Sequence, residues 1–168
     1  MKVVHLDATE TIPKHDPAKK RGKRLTASEK RAMRIYDIPK KGVKYAHFEP
    51  LHNLWQGYMK ELYGQGQNPS QFAQKLLKAD FHGAIIKVTK SNNPLLVGSA
   101  GIVVQETQNL FKIITQEDRL KSIPKGKTVF QVELDACACT LTLYGQQLLT
   151  RSAERAAKKF KAKPTIDL

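Results

Sequence analysis

Asp80 and His82 stand one residue apart, and on a strand that spacing turns both side chains to one face. A carboxylate beside an imidazole can hold a metal ion or relay a proton. Two ligands do not specify a metal, and no third is marked nearby, so a turn-capping aspartate and a satisfied histidine are the plainer reading. His5, His15, His47 and His52 lie outside the β-rich region. The acids within it, Glu106, Glu117, Asp118 and Glu133, show no spacing that pairs two carboxylates. Cys137 and Cys139 stand i, i+2, with no second pair to complete a metal site, and read as reduced packing residues. The chain has no G-x-x-x-x-G-K-[ST] loop and no G-x-S-x-G elbow. No catalytic constellation emerges.

The chemistry the chain does carry is cationic, and it is unevenly placed. The formal net charge is +14, of which Lys14 to Lys44 contributes +9 and Arg151 to Lys163 contributes +5. Tyr45 to Thr150 is nearly neutral. A balanced core with two basic arms is the footprint of a protein that lies along a polyphosphate. The opposing reading is a pair of solvated tails. Tyr36, Tyr45 and Phe48 are interleaved with Gly42 and Lys44. Such rings stack on unpaired bases or dock an arm onto protein, and the sequence does not separate the two.

The elements that position these groups follow from periodicity. Residues 1–25 read as a flexible basic arm, with Lys19 to Arg24 as an import signal or nucleic-acid patch. Residues 26–78 read as a helical extension. Thr26 and Glu29 form a T-x-x-E capping box, which predicts a helix from about Ala27 to Tyr36 with Arg31 and Arg34 on one side. Pro50 opens a second helix whose stripe of Leu51, Leu54, Trp55, Tyr58, Met59 and Leu62 ends near Gly64. That stripe packs either on its own domain or on a partner. Asn68 and Pro69 start a third helix. Over 79–150 the period becomes that of short strands, Ala84–Lys90, Ile102–Glu106, Leu110–Thr115, Arg119–Ile123, Thr128–Leu134 and Ala138–Tyr144, separated by turn residues. Gly98 and Gly101 fit bulges or tight bends, and a valine at Gly98 is expected to force a Cβ into a close backbone approach. Residues 151–168 read as a basic helix, capped by Ser152, and a tail. With few apolar residues, that helix has little to bury and lays its cations on solvent or an anion. No run reaches the roughly 18 apolar residues of a membrane span, and no apolar stretch follows Met1, so an intracellular place is expected.

Specific words then appear. Asp80-Phe81-His82-Gly83-Ala84, Ser91 to Gly98, Gly101 to Thr107, Phe111 to Thr115, Lys121 to Lys125, Tyr144-Gly145 and Arg151 to Lys161 resemble the Sm-like protein subunit of archaeal and eukaryotic ribonuclease P. This is the twenty-nine-kilodalton subunit family, shared in eukaryotes with ribonuclease MRP. Pro50-Leu51-His52-Asn53-Leu54-Trp55 looks like the eukaryotic form's upstream helix. The resemblance covers about Asp37 to Leu168.

It implies a mainly β fold, a six-stranded antiparallel Sm-like barrel with flanking N-terminal helices and a C-terminal basic helix. It implies a non-catalytic, RNA-binding subunit of the particle that removes 5′ leaders from precursor tRNA, and of the related particle that processes rRNA. The RNA would perform the Mg²⁺-assisted cleavage, and this chain would bind no cofactor. The implied partners are ribonuclease P RNA, ribonuclease MRP RNA, precursor tRNA, a small zinc-ribbon subunit and other proteins of the particle. The implied location is the nucleus and nucleolus, with no membrane.

Residues and resemblance together nominate Lys20, Arg21, Lys23, Arg24, Lys30, Arg31 and Arg34 on the first arm as RNA contacts. On the second they nominate Arg151, Arg155, Lys158, Lys159, Lys161 and Lys163, the arginines first because a guanidinium forks onto two phosphate oxygens. Ser91 and Asn93 are nominated as polar donors to phosphate or 2′-OH, against a satisfied turn. Leu51, Leu54, Trp55, Tyr58 and Leu62 are the expected partner-binding face. His82, Gly83, Pro94, Gly98 and Gly101 are expected to do structural work. The alternative is a protein-interaction adaptor within a ribonucleoprotein, whose basic arms are mainly solvated. A free-standing nuclease would require cleavage without an RNA component.

Overall fold

The computed structural model describes residues 25–39, 42–64, 69–135 and 138–159. The chain divides into two units, Met1–Ile38 and Pro39–Leu168. In the first, the capping box forms as expected. The Thr26 N–H donates to Glu29 Oε2 at 2.7 Å, and the Glu29 N–H donates to Thr26 Oγ1 at 3.3 Å. The Thr26 N–H bond, with the Thr26 hydroxyl donating to the same Oε2 at 3.0 Å, lowers the Glu29 carboxyl pKa. The helix they start, α1, runs only over Ala27–Ala32. It stops early because Arg34 takes a left-handed φ of 49°. Arg31 and Arg34 therefore do not share one helical face, contrary to the expectation.

In the second unit a 3-10 turn, Tyr45–Phe48, leads into α2, Glu49–Tyr63. Pro50 sits in the first turn, where its missing N–H costs nothing, and Gly64 caps the end. Helix α3 spans Pro69–Lys78. The strands are β1 Ile85–Ser91, β2 Ala100–Glu106, β3 Leu110–Ile114, β4 Leu120–Pro124, β5 Thr128–Leu134 and β6 Cys139–Tyr144. A 3-10 turn, Gly145–Leu148, precedes the short helix α4, Ser152–Ala157. Arg151, not Ser152, holds the cap position, and its side chain makes no cap bond.

The strands form one six-stranded antiparallel sheet in the order β4-β3-β2-β1-β5-β6. Mainly β with flanking helices is therefore the observed class. The sheet is not closed: β4 and β6 are its two borders. Register shifts between Val88 and Lys90 and between Val103 and Gln105 curl it, as bulges do. The residues that follow the two borders meet where Gly145 lies against the Lys125 carbonyl.

One core fills the concave side. Trp55 and Met59 of α2 and Phe72 and Leu76 of α3 join Ile86, Val103, Phe111, Ile113, Ile123, Phe130 and Val132 of the strands. The helices over 49–78 thus share a core with the sheet, and Trp55, Met59 and Leu62 of the α2 stripe pack on their own domain. Cys139 is disulfide-bonded, against the expectation of reduced thiols. Its neighbour Ala138 has a φ of 47° and so departs from extended strand geometry. Cys137 lies outside the described residues.

The expected close backbone approach is absent at Gly98, where nothing lies within 4 Å of an added Cβ; its φ of 81° is what favours glycine. The close approach is instead at Gly101, where a Cβ would collide with the Ile114 carbonyl. Gly101→Ala should therefore cost about 1–3 kcal/mol, the scale of overpacking. Gly98→Ala should cost about 1 kcal/mol of backbone strain. Urea denaturation of the two variants checks the order, and equal midpoints would reject it.

Candidate functional site

The segment from Ala79 to Ala84 joins α3 to the sheet, and several of its backbone polar groups are claimed by other elements. Trp55 Nε1 donates to the Asp80 carbonyl at 2.9 Å, and His52 Nδ1 meets the Gly83 carbonyl at 2.9 Å. The Gly83 N–H donates to the Val103 carbonyl at 2.8 Å. Gly83 has a φ of 91°, and a Cβ there would sit 2.6 Å from the Leu51 carbonyl oxygen, so only glycine lets α2 cross this closely. The Asp80-Phe81-His82-Gly83-Ala84 word is a docking turn for α2.

His82 is satisfied on both ring nitrogens. Nδ1 pairs with Asp80 Oδ1 at 2.6 Å, and Nε2 accepts the Glu106 N–H at 3.2 Å. Asp80 Oδ1 also accepts the His82 N–H at 3.2 Å, capping the turn. The Asp80 bond raises the His82 pKa against desolvation, with the Asp80 and Glu106 charges adding to the rise. Burial opposes the Asp80 charge. The His82 bonds and charge, with the Arg155 charge behind them, outweigh it and leave the Asp80 pKa lowered.

Beyond His82 lies the strongest charge arrangement among the described residues. The Glu106 side chain is buried, and it accepts from two buried cations. Lys125 Nζ donates to Glu106 Oε1 at 2.6 Å, and to the Leu148 and Thr150 carbonyls at 2.9 and 3.0 Å. Arg155 forks onto the same carboxylate, Nη1 on Oε1 and Nη2 on Oε2, while Nη2 also reaches the Ala79 carbonyl at 2.6 Å. Aromatic faces complete the shell. Lys125 Nζ lies 4.6 Å from the Phe111 ring centre, and the Arg155 guanidinium 4.9 Å from that of Phe81. Burial lowers the Lys125 pKa, with the Glu106 bond and charge pulling the other way.

Ligand atoms of Asp80, His82 and Glu106 lie within 4.8 Å of one another, a separation that could hold a metal ion. Their bonding argues against one: the Glu106 oxygens are taken by Lys125 and Arg155, and both His82 nitrogens are engaged. A cation entering there would have to displace or face two buried positive charges. The cluster is an ion network that fastens the chain together.

The nominated residues scatter around this frame. Lys20, Arg21, Lys23, Arg24, Lys161 and Lys163 lie outside the described residues. Arg31 and Arg34 are exposed and Lys30 is half-buried. Arg151, Lys158 and Lys159 are exposed, and Arg151 reaches Glu154 only at 3.9 Å. Arg155 is fully buried, so its nomination as an RNA contact is corrected: its partner is Glu106, and α4 does bury something. Ser91 and Asn93 serve their own turn, Ser91 Oγ accepting the Asn93 N–H at 3.3 Å and Asn93 Oδ1 the Leu95 N–H at 3.1 Å. Pro94 opens the 3-10 turn, Pro94–Leu96, that this cap starts. Trp55 is 3% exposed and Leu62 packs against the core, so neither offers itself to a partner; Leu51 is half-buried. Leu54, 73% exposed, and Tyr58, 39% exposed, remain available.

Sequence reasoning missed Glu106 and Lys125. A period-two reading from Val103 places Gln105 inside and Glu106 outside. The register shift between Val103 and Gln105 reverses that and sets Glu106 opposite Phe111 on the core side. Lys125 follows Ile123 by two, at an inward position, and that was the available signal.

A family model described as "Ribonuclease P/MRP, subunit p29" matches residues 74–158. Ribonuclease P protein subunit p29 of Homo sapiens is 49% identical over 161 residues, covering 94% of this chain and 72% of the human one. The same protein of Pongo abelii matches with the same identity and coverage. The RNases MRP/P 32.9 kDa subunit of Saccharomyces cerevisiae is 37% identical over 139 residues, covering 74% of this chain and 50% of the yeast one.

Glu106→Gln should leave Lys125 and Arg155 buried without a counter-charge and cost about 3–5 kcal/mol. Glu117→Gln breaks only an exposed pair with Arg119 and should cost less than about 1 kcal/mol. Urea unfolding compares them, and similar losses would refute the ranking. A second outcome concerns acid. Because the folded-state pKa of Asp80 is lowered, its contribution is present above its unfolded value of about 3.9 and is lost as pH falls through the folded value. Asp80→Asn should lower stability at neutral pH and flatten its decline below about pH 4. Melting curves across that range measure both effects.

Proposed function

The chain belongs to the ribonuclease P/MRP subunit p29 family, and from that premise we propose that it serves as a protein subunit of these ribonucleoprotein particles, gripping their RNA. It acts in removing 5′ leaders from precursor tRNA and in processing rRNA, in the nucleus and nucleolus. The chain itself performs no cleavage. On this reading chemistry and Mg²⁺ belong to the RNA; in keeping with it, the buried Glu106 carboxylate is occupied by Lys125 and Arg155. The observation that carries this reading is the 49% identity to the human subunit across 94% of the chain. Its electrostatics agree. Arg31, Arg34, Lys158 and Lys159 point to solvent, with no carboxylate paired to any of them among the described residues. Cations so placed release counterions when they meet phosphates.

Docking of fellow subunits, a zinc-ribbon protein among them, is the companion role. Exposed Leu54 and Tyr58 on α2 favour it. So does an apolar groove of about 480 Å³ between Tyr63, Phe72, Leu76 and Leu77 on the helical side and Leu141 and Leu143 of β6.

Arg31, Arg34, Arg151, Lys158 and Lys159, all changed to alanine, should weaken binding to ribonuclease P RNA. The log–log salt slope should shallow by about 0.7–0.9 for each phosphate no longer neutralised. Thermal unfolding should stay near that of the unaltered protein, whereas Arg155→Ala should lower the melting temperature. Filter binding at several salt concentrations reads the slope. An unchanged slope in a folded quintuple variant would remove the RNA-gripping role from these residues and favour a solvated-arm adaptor.

A further inference from the structure

A second cavity, of about 320 Å³, opens where the β3–β4 loop faces the bend leading into β2. Its wall holds Tyr45, Ser99, Thr115, Gln116 and Lys121. Lys121 Nζ meets Ser99 Oγ at 3.3 Å, and among the described residues no carboxylate pairs with it. Glu117 also lines the cavity but is paired with Arg119 at 3.6 Å. Asp118, next along, accepts the Tyr45 N–H at 2.6 Å, tying the aromatic residue to the loop. Burial, with the Glu49 charge, raises the Tyr45 pKa against its bond to Gln116. Gly98, Ala100 and Gly101 contribute wall with almost no side chain, and space at Gly98 is open to 4 Å. A flat ring can lie against such backbone.

Aromatic face, bare backbone wall, hydroxyl and amide groups for a base edge, and an ammonium without a counter-charge are what an unstacked nucleotide requires. The volume is at the small end of the roughly 300–1,000 Å³ of ligand pockets, enough for one nucleotide and not for a run of them. Further cations lie just outside. Lys87 stands opposite Ala100 in the β1–β2 ladder and is exposed, and exposed Lys44 precedes Tyr45. A free nucleotide has no use for them, whereas a continuing strand brings flanking phosphates. We infer that this cavity receives one splayed-out nucleotide of a single-stranded RNA segment, with Lys121 on its phosphate. The inference rests on the RNA-gripping reading above and adds a site to it that neither basic arm contains.

Amide NMR spectra of the full chain test it, with UMP, a single-stranded oligouridine and a fully paired RNA duplex added in turn. The oligouridine should shift the amides of Gly98–Gly101 and Thr115–Glu117, and the duplex should leave them in place. Lys121→Gln should weaken oligouridine binding about tenfold, the loss of one charge-assisted hydrogen bond, with Lys121→Arg restoring most of it. Gln116→Ala, on the exposed loop, gives a second variant should Lys121→Gln misfold, with a smaller weakening expected. If RNA binds but moves only amides elsewhere, or if both variants fold and bind as the parent does, the cavity assignment is overturned while the RNA-gripping subunit stands. If UMP moves these amides and oligouridine does not, the site takes free nucleotides and the inference is wrong. If no RNA binds at all, both readings fall.

Discussion

A single buried carboxylate holds two buried cations, and the rest of the second unit is arranged around that fact. Taking one ion out of water costs several kcal/mol even after the protein relaxes. Glu106, Lys125 and Arg155 tolerate burial because their charges are matched by one another, by three backbone carbonyls and by two aromatic faces. The geometry leaves little latitude. Lys125 fixes the end of β4 to the stretch after β6, and Arg155 fixes α4 to the end of α3. A sheet whose borders never pair is thereby clasped at one end by side chains.

The same fact separates cations that build the molecule from cations free to work outside it. Arg155 sits among Arg151, Lys158 and Lys159 in sequence, yet it alone of these turns inward. Six-residue α4 is consequently an anchored platform, and its exposed neighbours are presented from a fixed base. Helix α2 is fixed in a comparable way, through Trp55 and His52 on the Asp80–Gly83 turn. Its buried residues do structural work, and its outer Leu54 and Tyr58 are left over.

Much of the fold was legible because alternation and turn residues are local signals. Strand limits fall within a residue or two of those read from the sequence, and the Thr26–Glu29 box starts its helix at Ala27 as expected. What was illegible depends on phase or on partners distant in sequence. A register shift carries Glu106 to the core side, and no periodic reading foresees where a ladder slips. Arg155 finds its counter-ion 49 residues away, and nothing in a run of like charges marks which member turns inward. The D-x-H pair suggested chemistry by type, and its bonds to a turn and to the Glu106 N–H make it structural. Gly98 and Gly101 were recognised as special, but which of them carried the close approach needed coordinates.

The two borders of the open sheet are chemically unequal. Strand β4 carries Lys121 and ends on Pro124, features that discourage a stray strand from adding. Strand β6, Cys139 to Tyr144, has neither charge nor proline. Its outer row of amides and carbonyls has no partner strand within the described sheet. Of the two flanks, β6 is therefore the one its own residues protect less against an added strand.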